Sequence, residues 1–418
     1  MTVPETATPG QRRSAFALLD DIADVGVDRV RGGYSRPGFG ASENTLREWF
    51  VAEAEARGLS VETDVNGIVW AWWGGPGPGA VVTGSHLDSV PGGGAYDGPL
   101  GVVSALLSVD ALAARGFEPQ RPFGIAVFPE EEGSRFGVAC LGSRLLTGAL
   151  SARTALNLRD RDGISLGEAV RAAGLDPDRM GAEPGRVADV GTFLELHIEQ
   201  GIGLVDTEHA VAIGDGVLGH GRWRISFYGQ GNHAGTTRMS DRSDPMVAAA
   251  RTIAAVQQIA LSVPDARATV GRLEPMPGGT NVIARHVDLW LDVRHRDDTV
   301  TRRLVDDIEE VALAFAQDEG GSALMSEESL SPTVYFDPHL RSRLSGILVD
   351  APILDTGAGH DAAILSAHVP SAMLFVRNPT GISHAPEEAC ESDDAEAGVE
   401  ALADVIAQLA NEPVEPTP

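Results

Sequence analysis

His86, Asp88 and Asp97 sit close together in the stretch 81–101, VVTGSHLDSVPGGGAYDGPLG. One imidazole and two carboxylates on a glycine-rich loop can approach a ligand closely. Three further segments carry the same kinds of group: Glu130, Glu131 and Glu132 after Pro129, His197 ahead of Gln200, and His384 in Ser383-His384-Ala385-Pro386-Glu387-Glu388. Imidazole and carboxylate oxygen without thiolate suit zinc, manganese, cobalt or nickel. One carboxylate can bridge two ions lying about 3.5–4 Å apart. The set then divides with Asp97 as the bridge, His86 and His197 on one ion, and Glu132 and His384 on the other. The adjacent glutamates can diverge, so that one ligates while the other, Glu131, reaches a bridging water as general base. Asp88, just past His86, is the natural carboxylate to fix that ring. Each residue also has a plainer reading. A strand-end histidine is often structural or exposed, and a glutamate triplet is often a solvated turn, so the residues alone leave both open.

The elements around these residues decide whether they can meet. The apolar run Ala80–Val82 reads as the end of a buried strand that opens onto His86. Pro99 starts an apolar stretch to Leu112 with Gly116 beyond it, which frames a helix. The strand 123–128 completes a strand–helix–strand unit, hence a parallel pair. A strand 192–197 delivers His197, and a strand 372–376 precedes His384. The carboxyl ends of parallel strands are where such sheets bind ligands. Helical spacing covers 12–31 and 42–58, with Ser42-Glu43-Asn44 as the cap of the second helix. Asn66-Gly67 signals a hairpin between two short strands at 60–73. Helical patterns also cover 165–174, 338–349 and 393–410. After about residue 215 the style changes. Strands at 222–229, 268–274, 287–295 and 322–334 alternate with helices at 244–262 and 300–318, an α+β unit inserted into the larger domain. The fold expected is α/β: a mixed, largely parallel sheet domain flanked by helices (residues 1–214 and 333–418), with an inserted ferredoxin-like domain at 215–332.

Composition bounds the rest. A chain of 418 residues exceeds one ordinary core, and 43% hydrophobic residues suit a globular protein. A net charge of −28 argues against nucleic acid or an anionic membrane as partner. No apolar run is long enough to span a bilayer, and the first residues, MTVPETATPGQRRSAF, lack a secretory h-region. With only Cys140 and Cys390, a disulfide scaffold is not expected, and the cytoplasm is the expected compartment. The chain contains no lysine. That removes Schiff-base chemistry, pyridoxal-phosphate attachment and a Walker A loop.

The motifs GSHLDSVPGGGAYDGPLGV, EEGSRFG, ELHIEQG, GNHAGTT, GGTNVI, TGAGHDA and GISHAPEE occur in that order. Together they closely resemble the N-carbamoyl-L-amino acid hydrolases and allantoate amidohydrolases. The relatives of these enzymes are β-ureidopropionase, the ureidoglycolate amidohydrolases and, more distantly, aminoacylase and carboxypeptidase-type dinuclear metallopeptidases. The resemblance spans roughly residues 35–400. It implies two divalent ions held by His86, Asp97, Glu132, His197 and His384, with Glu131 as general base. A histidine at position 197 is implied for the ureido branch, where the peptidase relatives use a carboxylate. It further implies that Gln200, His233, Asn281, Arg294 and the backbone of Gly359 hold the substrate. His233 would act across a homodimer interface on the oxyanion, and the inserted domain would serve as lid and dimerisation domain. Alternation along 289–294 agrees for Arg294, placing it off the core face and available to a carboxylate; pairing with Asp292 or Asp297 is the plainer alternative. Arg238, Thr356 and Ala284 depart from the family pattern and bear on substrate preference. The activity implied is hydrolysis of a small ureido acid to ammonia, carbon dioxide and an amine. Allantoate or ureidopropionate is the alternative substrate, and an aminoacylase or dipeptidase, or a silent ligand-binding relative, the alternative class.

Overall fold

A computed structural model describes residues 13–412. The expectations for the first residues and for the extreme tail fall mostly outside that range. Within that range, residues 13–216 and 335–412 form one compact unit, and Val217–Val334 form the other.

In the first unit the sheet runs Ser60–Thr63, Val69–Trp73, Phe123–Phe128, Ala80–His86, Val190–Ile198, Ser371–Val376, Val211–Val217, with the short strands Val334–Tyr335 and Ile353–Thr356 both pairing with the last. The four central strands of that order, from Phe123–Phe128 to Ser371–Val376, are parallel. Ser60–Thr63, Val69–Trp73 and Val211–Val217 join antiparallel. Every residue of Ala80–His86, Phe123–Phe128 and Ser371–Val376 is buried, as expected of parallel strands covered on both faces. Gly84 lets two of these strands approach, because a Cβ there would lie 2.0 Å from the Ala126 carbonyl oxygen.

The helix Pro99–Ala114 carries proline in its first turn and is buried around nearly its whole circumference. It therefore lacks an amphipathic stripe: sheet lies on one side and the helix Ser392–Ala410 on another. That second helix places Asp393 and Asp394 in its first turn, where the helix dipole favours negative charge.

The second unit runs strand Gly219–Tyr228, helix Pro245–Leu261, strands Arg267–Met276 and His286–His295, helix Asp298–Asp318, strand Ser322–Ser331. The sheet order places the last strand beside the first, then the third, then the second, with every pair antiparallel. This is the ferredoxin-like arrangement. Its own core includes Phe227, Val287, Leu289, Leu291, Leu304 and Ile308.

Two local expectations are corrected. The helix expected over 12–31 is only Ala15–Asp21. The chain then turns, with Gly26 at φ 75°. The Arg36 guanidinium takes the carbonyls of Ile22 and Val25, so those groups do not propagate a helix. The second helix spans Ala41–Ala56 with Gly40 as its N-cap, not the Ser42 segment. Glu43 caps it by another route, accepting the Phe39 amide at 3.0 Å.

Candidate metal centre

His86 is the last residue of its strand and His197 the second-last of the neighbouring one, so two rigid elements fix two imidazoles side by side. Each ring is oriented from behind. The His86 Nδ1–H donates to the Asp88 carbonyl at 3.0 Å, and the His197 Nδ1–H to the Ile198 carbonyl at 2.9 Å. Both Nε2 lone pairs are thereby turned toward Asp97. His197 Nε2 lies 3.2 Å and His86 Nε2 3.6 Å from Asp97 Oδ1. Asp97 Oδ2 faces a second group, with His384 Nε2 at 3.3 Å, and His384 Nε2 lies 3.3 Å from Glu132 Oε2. Asp97 thus shows one oxygen to His86 and His197 and the other to His384 and Glu132. Each trio of ligand atoms lies within 4.8 Å, as ligands of one ion must.

Glu131 Oε2 is 3.7 Å from His86 Nε2, and Glu131 itself is only 5% exposed. Burial pushes its carboxyl well above the ordinary range, against the opposing pull of His86. Burial also raises Glu132, to about 7, with Asp97 adding to the effect. His384 is raised to about 9, chiefly by its contact with Asp97. Buried carboxylates crowding imidazole lone pairs repel one another, and divalent cations would neutralise them. The donor set fits two such ions, each held by nitrogen and oxygen.

The loop after Phe123–Phe128 is shaped for this purpose. Glu130 adopts a left-handed φ of 53°, and its Oε1 accepts the amides of Arg135 and Phe136 at 2.9 and 2.7 Å. Asp88 works differently from expectation. Its carboxylate lies 3.6 Å from the His86 ring but accepts the amides of Glu131 and Glu132 at 3.0 and 3.2 Å. It therefore aims the glutamates, while its carbonyl holds the ring.

Gln200 Nε2 donates to Asp97 Oδ2 and to Ser383 Oγ, both at 3.0 Å, so it stands on the Asp97 carboxylate. Gly359 is exposed in the turn before His360, with nothing near the position of a Cβ. His233, Asn281 and Arg294 belong to the second unit. There the short pair Asn232–His233 with Val282–Ile283 brings His233 and Asn281 together, both exposed, and the Ala234 amide donates to the Asn281 carbonyl at 3.0 Å. Arg294 does lie off the core face, because Leu289, Leu291 and Val293 are buried between more exposed neighbours. Its guanidinium already has the plainer partner, Asp292. Nε and Nη2 donate to the two oxygens of Asp292 at 2.7 and 3.0 Å.

Several residues at the centre had no part in the sequence reading. His360 is 2% exposed, and its ring lies tilted by 58° to the His197 ring with centroids 4.5 Å apart; neither ring nitrogen has a hydrogen-bond partner among the described residues. The Cys140 thiol lies 3.5 Å from Glu131 Oε1. Glu388 accepts the Tyr96 and Asp97 amides at 2.9 and 3.0 Å. It stands in the same motif as His384, but two adjacent glutamates there gave no way to tell which one turns inward.

A nitrogen–oxygen centre at the carboxyl ends of the parallel strands of a mixed sheet, with a ferredoxin-like insert in the chain, defines a metallohydrolase of the M20 type. The profile of Peptidase family M20/M25/M40 matches residues 82–408, and the chain belongs to that family. It is a hydrolase acting on C–N bonds. It is similar to the N-carbamoyl-L-amino acid amidohydrolase of Geobacillus stearothermophilus, 35% identical over 407 residues, covering 96% of this chain and 99% of that protein. The allantoate amidohydrolase of Bacillus subtilis is 32% identical over 377 residues, covering 87% of this chain and 91% of the relative. Among solved structures, a hydantoinase/carbamoylase-family amidase from Burkholderia multivorans superposes with a TM-score of 0.86 at 31% identity. That likeness covers 97% of this chain and 100% of the other. Among the described residues no helix is long and apolar enough to cross a membrane.

Proposed function

We propose that this chain is a metal-dependent amidohydrolase cleaving the ureido C–N bond of a small ureido acid, an N-carbamoyl-L-amino acid in the first instance. The observation that carries the reading is the division of donors about Asp97, one oxygen toward His86 and His197 and the other toward His384 and Glu132. Two divalent ions held there (zinc, manganese, cobalt or nickel) supply Lewis acidity at the ureido carbonyl and lower the pKa of water. Glu131 accepts the proton of the attacking water and returns it to the leaving nitrogen. One water is consumed, and the products are the free amine, carbon dioxide and ammonia. Asp88 keeps Glu131 and Glu132 apart in role by holding their two amides on separate oxygens.

The inserted unit is read as lid and dimerisation domain, with His233 steadying the oxyanion of the partner subunit's substrate and Asn281 beside it. Arg294 reads the substrate's carboxylate. Asp292 fixes the plane of the guanidinium, so that the substrate shares a pre-oriented fork. Gln200 and the Gly359 backbone complete the contacts. The two free, buried cysteines accord with a cytoplasmic enzyme.

The similarity to an allantoate amidohydrolase keeps allantoate as the second substrate. The test is ammonia release from N-carbamoyl-L-amino acids, allantoate and ureidopropionate, with free amino acid release from N-acyl amino acids and dipeptides measured as the control. Turnover of the carbamoyl compounds is expected. Turnover of the N-acyl or dipeptide substrates alone would overturn the reading.

A further inference from the structure

The five donors are not held equally firmly. His86 and His197 have side chains 0% and 1% exposed and end two buried parallel strands. His384 is 49% exposed, lies on a loop, and has a left-handed φ of 56° that a β-carbon disfavours. The His384 half of the centre needs a tether that the sheet does not provide.

Glu388 has the geometry of that tether. Its Oε2 accepts two successive amides, Tyr96 at 2.9 Å and Asp97 at 3.0 Å. The Ser383 hydroxyl lies 3.4 Å from Glu388 Oε1 and 3.3 Å from Asp97 Oδ2. One side chain thus joins the loop that carries His384 to the backbone of the bridging aspartate, distant in sequence. Gly94 makes room for it, because a Cβ there would lie 2.1 Å from Glu388 Oε2 and 2.5 Å from Glu388 Cβ.

We propose that Glu388 is a positioning residue that sets Asp97 and His384 in register and so fixes the second ion, the one shared with Glu132. The inference rests on the two-ion reading of the centre. It needs only the hydrogen-bond geometry, not the charge, since a single oxygen receives both amides. Glutamine offers that oxygen and alanine does not.

The test is cobalt(II) titration of the full-length, chelator-treated protein. Bound ion is counted after gel filtration, ligand-field absorption is recorded, and folding is followed by circular dichroism. Wild type is expected to bind two ions. Glu388→Ala should keep the ion at His86 and His197 and bind the second at least about tenfold more weakly, the scale of the two amide hydrogen bonds lost. Glu388→Gln should bind both ions as wild type does. Gly94→Ala, which expels the side chain from the other direction, should reproduce Glu388→Ala even if that variant folds poorly. Unchanged binding of two ions in Glu388→Ala and Gly94→Ala overturns the inference while leaving the two-ion reading intact. So does a Glu388→Gln variant as weak as alanine. A wild type that binds no ion overturns the two-ion reading itself.

Discussion

In the proposed reaction Glu131 moves the proton. It is nearly buried, its Oε2 faces His86, and its Oε1 receives the Cys140 thiol. Glu131→Gln preserves size and hydrogen bonding but accepts no proton. Its kcat should fall by about 10²–10⁴-fold, the usual reach of general acid–base catalysis, with ion content unchanged. Near-normal turnover would move the role to another group. Arg294 allows a sharper test because Asp292 already holds it. Arg294→Ala should lower kcat/KM for an N-carbamoyl acid by at least about tenfold, and lysine should restore little, since a point charge cannot reproduce the fork. Equal loss on the acid and on its amidated analogue would make the residue structural. At this scale the donor types were legible, because strand ends and motif spacing mark them. The partners behind them were not. Nothing in the sequence says that the Asp88 carboxylate takes two amides, or which of Asp292 and Asp297 pairs with Arg294.

The strand–helix–strand unit from Ala80 to Phe128 carries His86 and Asp97, two of the five donors, and two glycines decide its geometry. Gly84→Ala would drive a Cβ into the Ala126 carbonyl within a fully buried parallel pair. Such overpacking costs about 1–3 kcal/mol or more, so thermal unfolding should begin several degrees lower. Gly98, at φ 86°, faces the His86 ring, and a Cβ there would lie 2.5 Å from its Cε1. Gly98→Ala should therefore lose activity out of proportion to its loss of stability. Elements such as Pro99–Ala114 and His286–His295 were readable because proline placement and strict alternation are local signals. The 12–31 helix was misjudged because its periodicity is real but its carbonyls are claimed by Arg36, a contact from outside the segment. The strand Ile353–Thr356 escaped notice because it is only four residues long, and Val211–Val217 because Gly214, Asp215 and Gly216 interrupt its apolar pattern.

The whole molecule carries a net charge of −28, with arginine as its sole strongly basic residue. Self-repulsion on that scale weakens the compact state when screening is low. Raising salt from about 0.01 to 0.1 M shortens the screening length from about 30 to 10 Å, so Tm should rise over that range. A Tm that falls with added salt would mean that specific ion pairs outweigh the net charge. The central claim, however, is that the strand-end constellation is a hydrolytic metal centre. It is tested most directly by ammonia release from an N-carbamoyl-L-amino acid, measured on chelator-stripped protein as zinc, manganese, cobalt or nickel is returned. The account predicts no release from the stripped protein and recovery that tracks bound ion up to two per chain. Undiminished release from protein shown to contain no metal would contradict it.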